Sequence, residues 1–188
     1  MELTVRYFEQ PGPQNTEATL HAALQRAQVL GIRQVVVASS HGETARRAQA
    51  LFGPVGIRVI AVSICHGFAA EGWTMAPEVR RELEGMGVTV LTGVHALGDD
   101  VNSAFTEKYG GRTPSEIVRD TLYRFSQGTK VAIEITLMAA DAGVLDMSQD
   151  VIAIAGTDRG ADTALVLTPT YSRRFLDLRV REIIAKPR

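Results

Sequence analysis

Cysteine is almost missing from this chain. Cys65 stands alone, so no internal disulfide can form, and a reducing compartment is expected. No apolar run is long enough to cross a bilayer, and Met1 is followed by Glu2 rather than by a basic leader, so a cytoplasmic protein is expected. Neither sign of charge dominates. Twenty basic residues against 21 acidic ones leave a formal charge of −1, which argues against a generic nucleic-acid or anionic-membrane surface. The four histidines, His21, His41, His66 and His95, lack metal-ligand spacing, so no metal site is expected. What is plentiful is apolar: 45% of 188 residues are hydrophobic, enough to pack one domain over residues 1–188.

The most informative stretch is residues 35–48, VVVASSHGETARRA. Three consecutive valines read as a strand buried on both faces. Ser39, Ser40, His41 and Gly42 form a small-residue turn, and a helix follows from Glu43. The first N–H groups of such a helix have no intrahelical partner and suit an anion, most often a phosphate. Ser40 and Thr44 add hydroxyl donors, and Gly42 lets a ligand approach the backbone. The competing reading is a capped strand-to-helix turn that carries Ser and Thr because they cap helices. The segment matches neither common nucleotide-binding glycine motif.

Along the chain, residues 3–8 read as a short strand or an N-terminal arm, broken by Pro11, Gly12 and Pro13. A helix begins near Asn15 or Thr16, carries a stripe of Leu20, Ala23, Leu24, Ala27 and Leu30, and ends at Gly31. After the first core strand and its helix come a second strand at 58–63 and a loop at 64–76 with Cys65, His66, Gly67, Phe68 and Trp73. A helix starts at Pro77 and closes at Gly87, and a third strand follows at 88–92. Each of these strands follows a helix, which predicts parallel pairing with right-handed crossovers. Residues 93–113 form a long connection, either a flap or short structure. Thr113, Pro114 and Glu116 start a helix as N-cap, N1 and N3, running to about Ser126 and ending at Gly128. Residues 130–142 fit strand or helix, and their length and alanine-rich end favour helix. Two strands, 151–155 and 164–168, flank the polar loop GTDRGADT, too short for a helical crossover, so they run antiparallel. Residues 176–184 alternate like a final edge strand. No internal repeat or interdomain linker is visible.

The fourth strand is expected beside the first, which sets the 39–44 turn against the 156–163 loop at the carboxyl edge, where open parallel sheets bind ligands. In that loop Arg159 can pair with a phosphate, Asp158 and Asp162 can accept hydrogen bonds, and Gly156 and Gly160 free the backbone. The competing reading is a plain hairpin turn.

Residues 7–16 (YFEQPGPQNT), 35–45 (VVVASSHGETA), 128–143 (GTKVAIEITLMAADAG), 151–167 (VIAIAGTDRGADTALVL) and the end EIIAKPR carry a resemblance to the pyruvate kinase C-terminal domain-like family, in its stand-alone form. The resemblance implies a three-layer α/β/α fold with a mostly parallel sheet of order 3-2-1-4-5, strand five antiparallel, plus an extra terminal strand. It implies a site for a phosphorylated small molecule, most directly flavin mononucleotide (FMN), with or without a flavin-dependent redox role. The implied site comprises Ser39, Ser40, His41, Gly42, Glu43, Thr44, His66, Gly67, Phe68, Gly156, Thr157, Asp158, Arg159, Gly160, Asp162 and Thr163. His41 departs from the pattern, since a Ser or Thr is expected before the turn glycine. The catalytic barrel of pyruvate kinase has no counterpart here, so kinase activity is not carried over. The alternative is a non-catalytic regulatory or assembly domain that binds a sugar phosphate or a protein partner, and self-association into a homo-oligomer stays open.

Cys65 beside His66 raises a third reading, a cysteine nucleophile, but no base or orienter is evident in the sequence. Phe68, Trp73 and Tyr171 suit either a flat ligand ring or ordinary packing.

Overall fold

The computed structural model describes residues 2–188. Seven strands form one sheet: β1 (Arg6–Phe8), β2 (Gln34–Ala38), β3 (Arg58–Ser63), β4 (Thr89–Thr92), β5 (Val151–Ala155), β6 (Thr163–Thr168) and β7 (Arg179–Pro187). Their order is β1-β7-β6-β5-β2-β3-β4. β2 pairs in parallel with both β3 and β5, β3 with β4, and β6 runs antiparallel to β5. The five central strands therefore have the expected 3-2-1-4-5 order with the last one reversed.

The described residues form six α-helices: α1 (Thr16–Leu30), α2 (Glu43–Phe52), α3 (Pro77–Gly85), α4 (Val101–Tyr109), α5 (Pro114–Leu122) and α6 (Gln127–Asp141). The pleat divides the core in two. Val35, Val37, Val59, Ile152 and Ile154 face one layer with Leu20 and Ala27 of α1, Phe52 of α2 and Leu83 of α3. Val36, Ile60, Val151 and Ala153 face the other with Ile133, Leu137 and Ala140 of α6. Strands β2 and β5 are buried on both faces, which is why their sequences are continuous apolar runs.

Helix ends follow local chemistry. Gly31 ends α1 in the left-handed region at φ 68, and the Ile32 amide donates to the Ala27 carbonyl. Thr113 and Glu116 form a reciprocal capping box on α5. The ambiguous 130–142 segment is helix, as its length favoured.

Four expectations are corrected. α5 stops at Leu122, and Gly128 does not end it: Ser126 caps a new helix, and Gly128 lies in the first turn of α6. A Cβ at Gly128 would sit 2.2 Å from Thr163 Oγ1, so glycine is there for close packing rather than termination. The final strand is shifted to 179–187, because residues 172–177 form a 3-10 helix instead. It is not an edge strand either, since β1 pairs in parallel along its outer side. The N-terminal strand is only three residues long. Within residues 93–113, the short structure is α4, capped by Asp100, whose carboxylate accepts from the amides of Asn102 and Ser103.

Candidate functional site

β2 and β5 are hydrogen-bonded neighbours in register Val37↔Ile154. The turn 39–44 leaves β2 and the loop 156–163 leaves β5 at the same carboxyl edge, about one strand spacing apart. The two segments expected to share a crevice are thus adjacent.

The turn is tied down from both sides. The Ser39 amide donates to the Val62 carbonyl of β3 (3.0 Å), and its hydroxyl accepts from the Ala45 amide inside α2 (3.2 Å). The Ser40 hydroxyl accepts from the Ile64 amide (3.3 Å), fixing the exit of β3 to the turn. Gly42 adopts φ 86, and a Cβ there would meet Val79 Cγ1 at 2.5 Å, so the turn admits only glycine without strain. Among the described residues, the amides of Ser40, His41, Gly42, Glu43 and Thr44 have no protein acceptor. Five successive unpaired N–H groups at the start of a ten-residue helix make an electropositive cradle. His41 and Glu43 are exposed; the Glu43 carboxylate folds onto Arg47 (2.6 Å) rather than over the cradle.

The glycine loop is built around Asp162, which is fully buried. Its Oδ2 accepts from the amides of Gly12 (3.0 Å) and Thr157 (3.1 Å), and its Oδ1 accepts from the Thr163 hydroxyl (2.8 Å). Both oxygens are used within the protein, so Asp162 shapes the loop instead of touching a guest; Thr163 is likewise buried. The Arg159 amide donates to the Thr157 carbonyl (2.7 Å), folding a tight turn around Asp158 at φ 61, a conformation that costs a non-glycine residue energy. That turn holds the Asp158 and Arg159 side chains out in solvent, and the Arg159 guanidinium has no protein partner among the described residues. The N-terminal segment clamps the far side: the Thr16 hydroxyl accepts from the Ala161 amide (3.0 Å), and a Cβ at Gly160 would strike Thr16 Oγ1 at 2.4 Å. Gly12 and Thr16 were not singled out for the site by sequence. The breaker triplet at 11–13 was visible, but its partner lies 150 residues away.

Beyond β3, residues 66–68 form a 3-10 turn with His66 and Gly67 exposed. The Phe68 ring stacks on Trp73 (centroids 5.5 Å, 20° between planes) and on His95 (5.9 Å, 21°). His95 Nε2 accepts from the Cys65 amide (3.3 Å), and its Nδ1 faces the Asp99 carboxylate at 3.0 Å. With Nε2 taking the Cys65 amide, Nδ1 is the nitrogen placed to donate to Asp99. The hydrogen bond from His95 holds the Asp99 carboxyl below its usual range. His95 and Asp99 are thus the orienting pair that the sequence did not reveal near Cys65. However, the nitrogen that would take a thiol proton is occupied by the Cys65 backbone, which leaves the cysteine-nucleophile reading without a free base. A His–Asp pair four residues apart after a strand was the signal available for this pair.

A separate cleft between the exit of β4 and the end of α6 is lined by Leu91, Val94, Met138 and Asp141. Its one carboxylate, Asp141, accepts from the Ser172 amide. Among the described residues no group of three or more His, Cys, Asp or Glu side chains is arranged to hold a metal ion, and no helix is long and apolar enough to cross a membrane.

The family model for the pyruvate kinase alpha/beta domain matches residues 17–167. Among solved structures, the chain is similar to a Cryptosporidium parvum pyruvate kinase in complex with ADP, at 18% identity and TM-score 0.38, covering 80% of this chain and 22% of that one. A second structure of a pyruvate kinase from Cryptosporidium parvum matches at 16% identity and TM-score 0.39 over the same shares. The chain thus spans about a fifth of the length of the pyruvate kinases it matches. With the family match covering most of its length, from α1 through β6, the chain belongs to the pyruvate kinase alpha/beta domain family.

Proposed function

We propose that the chain binds a phosphorylated small molecule at the carboxyl edge, its phosphate on the amides of Ser40 to Thr44 and the rest of it toward the 156–163 loop. The observation that carries this reading is the run of five amides without a protein acceptor at the start of α2. Backbone donors at a helix N-terminus, fixed in advance, pay little to reorganise around an anion. The free Arg159 guanidinium across the edge adds a mobile counter-charge. FMN is the ligand the family resemblance puts forward first, and the residues present fit its phosphate. When bound, it would supply one- and two-electron chemistry; this chain's part would be to hold the phosphate and orient the ring.

The test is calorimetric titration of the whole chain with FMN and with riboflavin, which lacks the phosphate. FMN should bind at least tenfold more tightly. His41→Glu, an exposed substitution that sets a carboxylate beside the cradle, should remove that preference. Absence of FMN binding, or equal affinity for both compounds, would overturn the reading.

A second reading, a non-catalytic assembly domain, rests on a different observation. Val101, Phe105 and Tyr109 form an exposed apolar stripe at four-residue spacing along α4. Self-association through that stripe predicts a sedimentation coefficient that falls in Phe105→Glu; an unchanged value rules it out.

A further inference from the structure

We infer that His95 is a pH-sensitive latch: neutral, it anchors the backbone of the exposed loop 65–73 to the loop after β4, and protonated, it gives up that anchor. The inference is independent of the ligand proposed above.

The loop has few other holds. Residues 66, 67 and 69–73 are exposed, so little apolar burial fixes them. Within it the Phe68 amide donates to the Cys65 carbonyl, Ala69 to His66, Gly72 to Ala69 and Trp73 to Phe68, which shapes the loop without tying it down. Among the described residues, the hydrogen bond that joins residues 65–73 to another segment is the one from the Cys65 amide to His95 Nε2, at 3.3 Å. The far side of the latch is rigid by comparison. The Leu97 amide donates to the buried Glu134 carboxylate (2.9 Å), and the Asp99 amide donates to the Ser103 hydroxyl (2.9 Å). Asp99 is held at φ 55, which non-glycine residues seldom adopt, and its Oδ2 meets His95 Nδ1 at 3.0 Å.

Protonation acts on the two ring nitrogens unequally. A neutral imidazole carries one N–H and one lone pair, and an imidazolium carries two N–H groups and no lone pair. Toward Asp99 the added charge turns a hydrogen bond into an ion pair. Toward Cys65 it sets one N–H against another, so that bond is lost. The Phe68 face, stacked on His95, needs no lone pair and stays against the charged ring, so what opens is the backbone at Cys65. The His95 hydrogen bond, with smaller contributions from the charges of Lys130 on α6 and Arg119 on α5, holds the Asp99 carboxyl below its usual range. Asp99 is therefore ionised wherever an imidazole charges, and it favours the imidazolium. Lys130 and Arg119 oppose it, but each is paired with its own carboxylate, Glu134 and Asp120. The facing loop adds the Cys65 thiol and the exposed His66. One residue upstream, the Ile64 amide donates to the Ser40 hydroxyl, which sets the latch beside the 39–44 turn.

Nuclear magnetic resonance of the isotope-labelled whole chain, titrated from about pH 8 to about pH 5, reads both sides of the latch. The His95 ring should show Nδ1 protonated and Nε2 bare at the upper end, and both protonated at the lower. The Cys65 amide resonance should move with the same midpoint toward the position of an unbonded amide, while the Leu97 amide stays fixed. His95→Gln keeps an acceptor and cannot charge, so its Cys65 amide should hold still across the range. His66→Gln removes the neighbouring imidazole and should leave the Cys65 response unchanged. Asp99→Asn, which tolerates φ 55, takes away the counter-charge and should move the midpoint to lower pH. A His95 ring that charges while the Cys65 amide stays fixed would overturn the inference. So would a Cys65 response that survives His95→Gln or vanishes in His66→Gln, or a ring that stays neutral down to about pH 5.

Discussion

At the scale of single residues, two glycines with opposite surroundings show how space decides the sign of a substitution. Gly85, at the end of α3, has nothing within 4 Å of an added Cβ, so Gly85→Ala should raise stability by up to about 1 kcal/mol through helix propensity and a less free unfolded chain. Gly128, also helical, would drive a Cβ into Thr163 at 2.2 and 2.5 Å. Overpacking of roughly 1–3 kcal/mol outweighs the propensity gain, so Gly128→Ala should lower the urea midpoint. Asp162 is the third residue of this kind. Asp162→Ala strands the amides of Gly12 and Thr157 and the Thr163 hydroxyl, and should cost about 2 kcal/mol or more in chemical denaturation. Under the proposed function, ligand affinity should fall with it, because the loop it holds lies beside the 39–44 turn.

At the scale of elements, what could be read in advance depended on how local the cause was. The 35–48 segment declared its strand, turn and helix through three valines, a glycine and polar residues in sequence. The capping box at Thr113 and Glu116 was equally plain. Gly128 misled because its reason, contact with Thr163, lies 35 residues away. Helix α4 hid because its apolar positions face outward, so no buried stripe marked it. For the site, the turn and the glycine loop were legible as motifs, but the roles within them were not: Asp162 turned inward to the amides of Gly12 and Thr157, and Asp158 outward on the 157–159 turn. Helix α6 also holds a feature invisible to spacing alone. Lys130 and Glu134 are both 3% exposed and bonded at 2.5 Å, with Glu134 also accepting from the Leu97 amide. Lys130→Met should destabilise by about 3 kcal/mol by leaving a buried carboxylate unpaired. Adding Glu134→Gln should recover part of that, as a double-mutant cycle would read. Between α6 and β5, the Asp146 carboxyl is lowered from 3.8 to about 2 by hydrogen bonds from the Ser148 hydroxyl and amide, then Gln149. A lowered folded-state value means its contribution is complete above about pH 4 and is lost as pH falls toward 2. Melting curves between pH 2 and 5 should lose part of their acid slope in Asp146→Asn.

At the scale of the whole molecule, the sheet is a frame that brings distant segments to one edge. Binding there should be felt throughout: FMN at a hundred times its dissociation constant should add about 2.7 kcal/mol, a rise in melting temperature of roughly 5–10 °C for a chain of this size. Differential scanning calorimetry with and without FMN measures it, and riboflavin serves as the phosphate-free control. The pairing of β1 with β7 has a further consequence for how this frame is assembled. Residues 6–8 have no partner until residues 185–187 exist, and Arg188 N donates to Phe8 O at the rim. On the ribosome the first strand emerges long before its mate, so the outer margin of the sheet closes last. Because the segment just after that strand also clasps the glycine loop through Gly12 and Thr16, the finished shape of this carboxyl edge waits on residues 185–187.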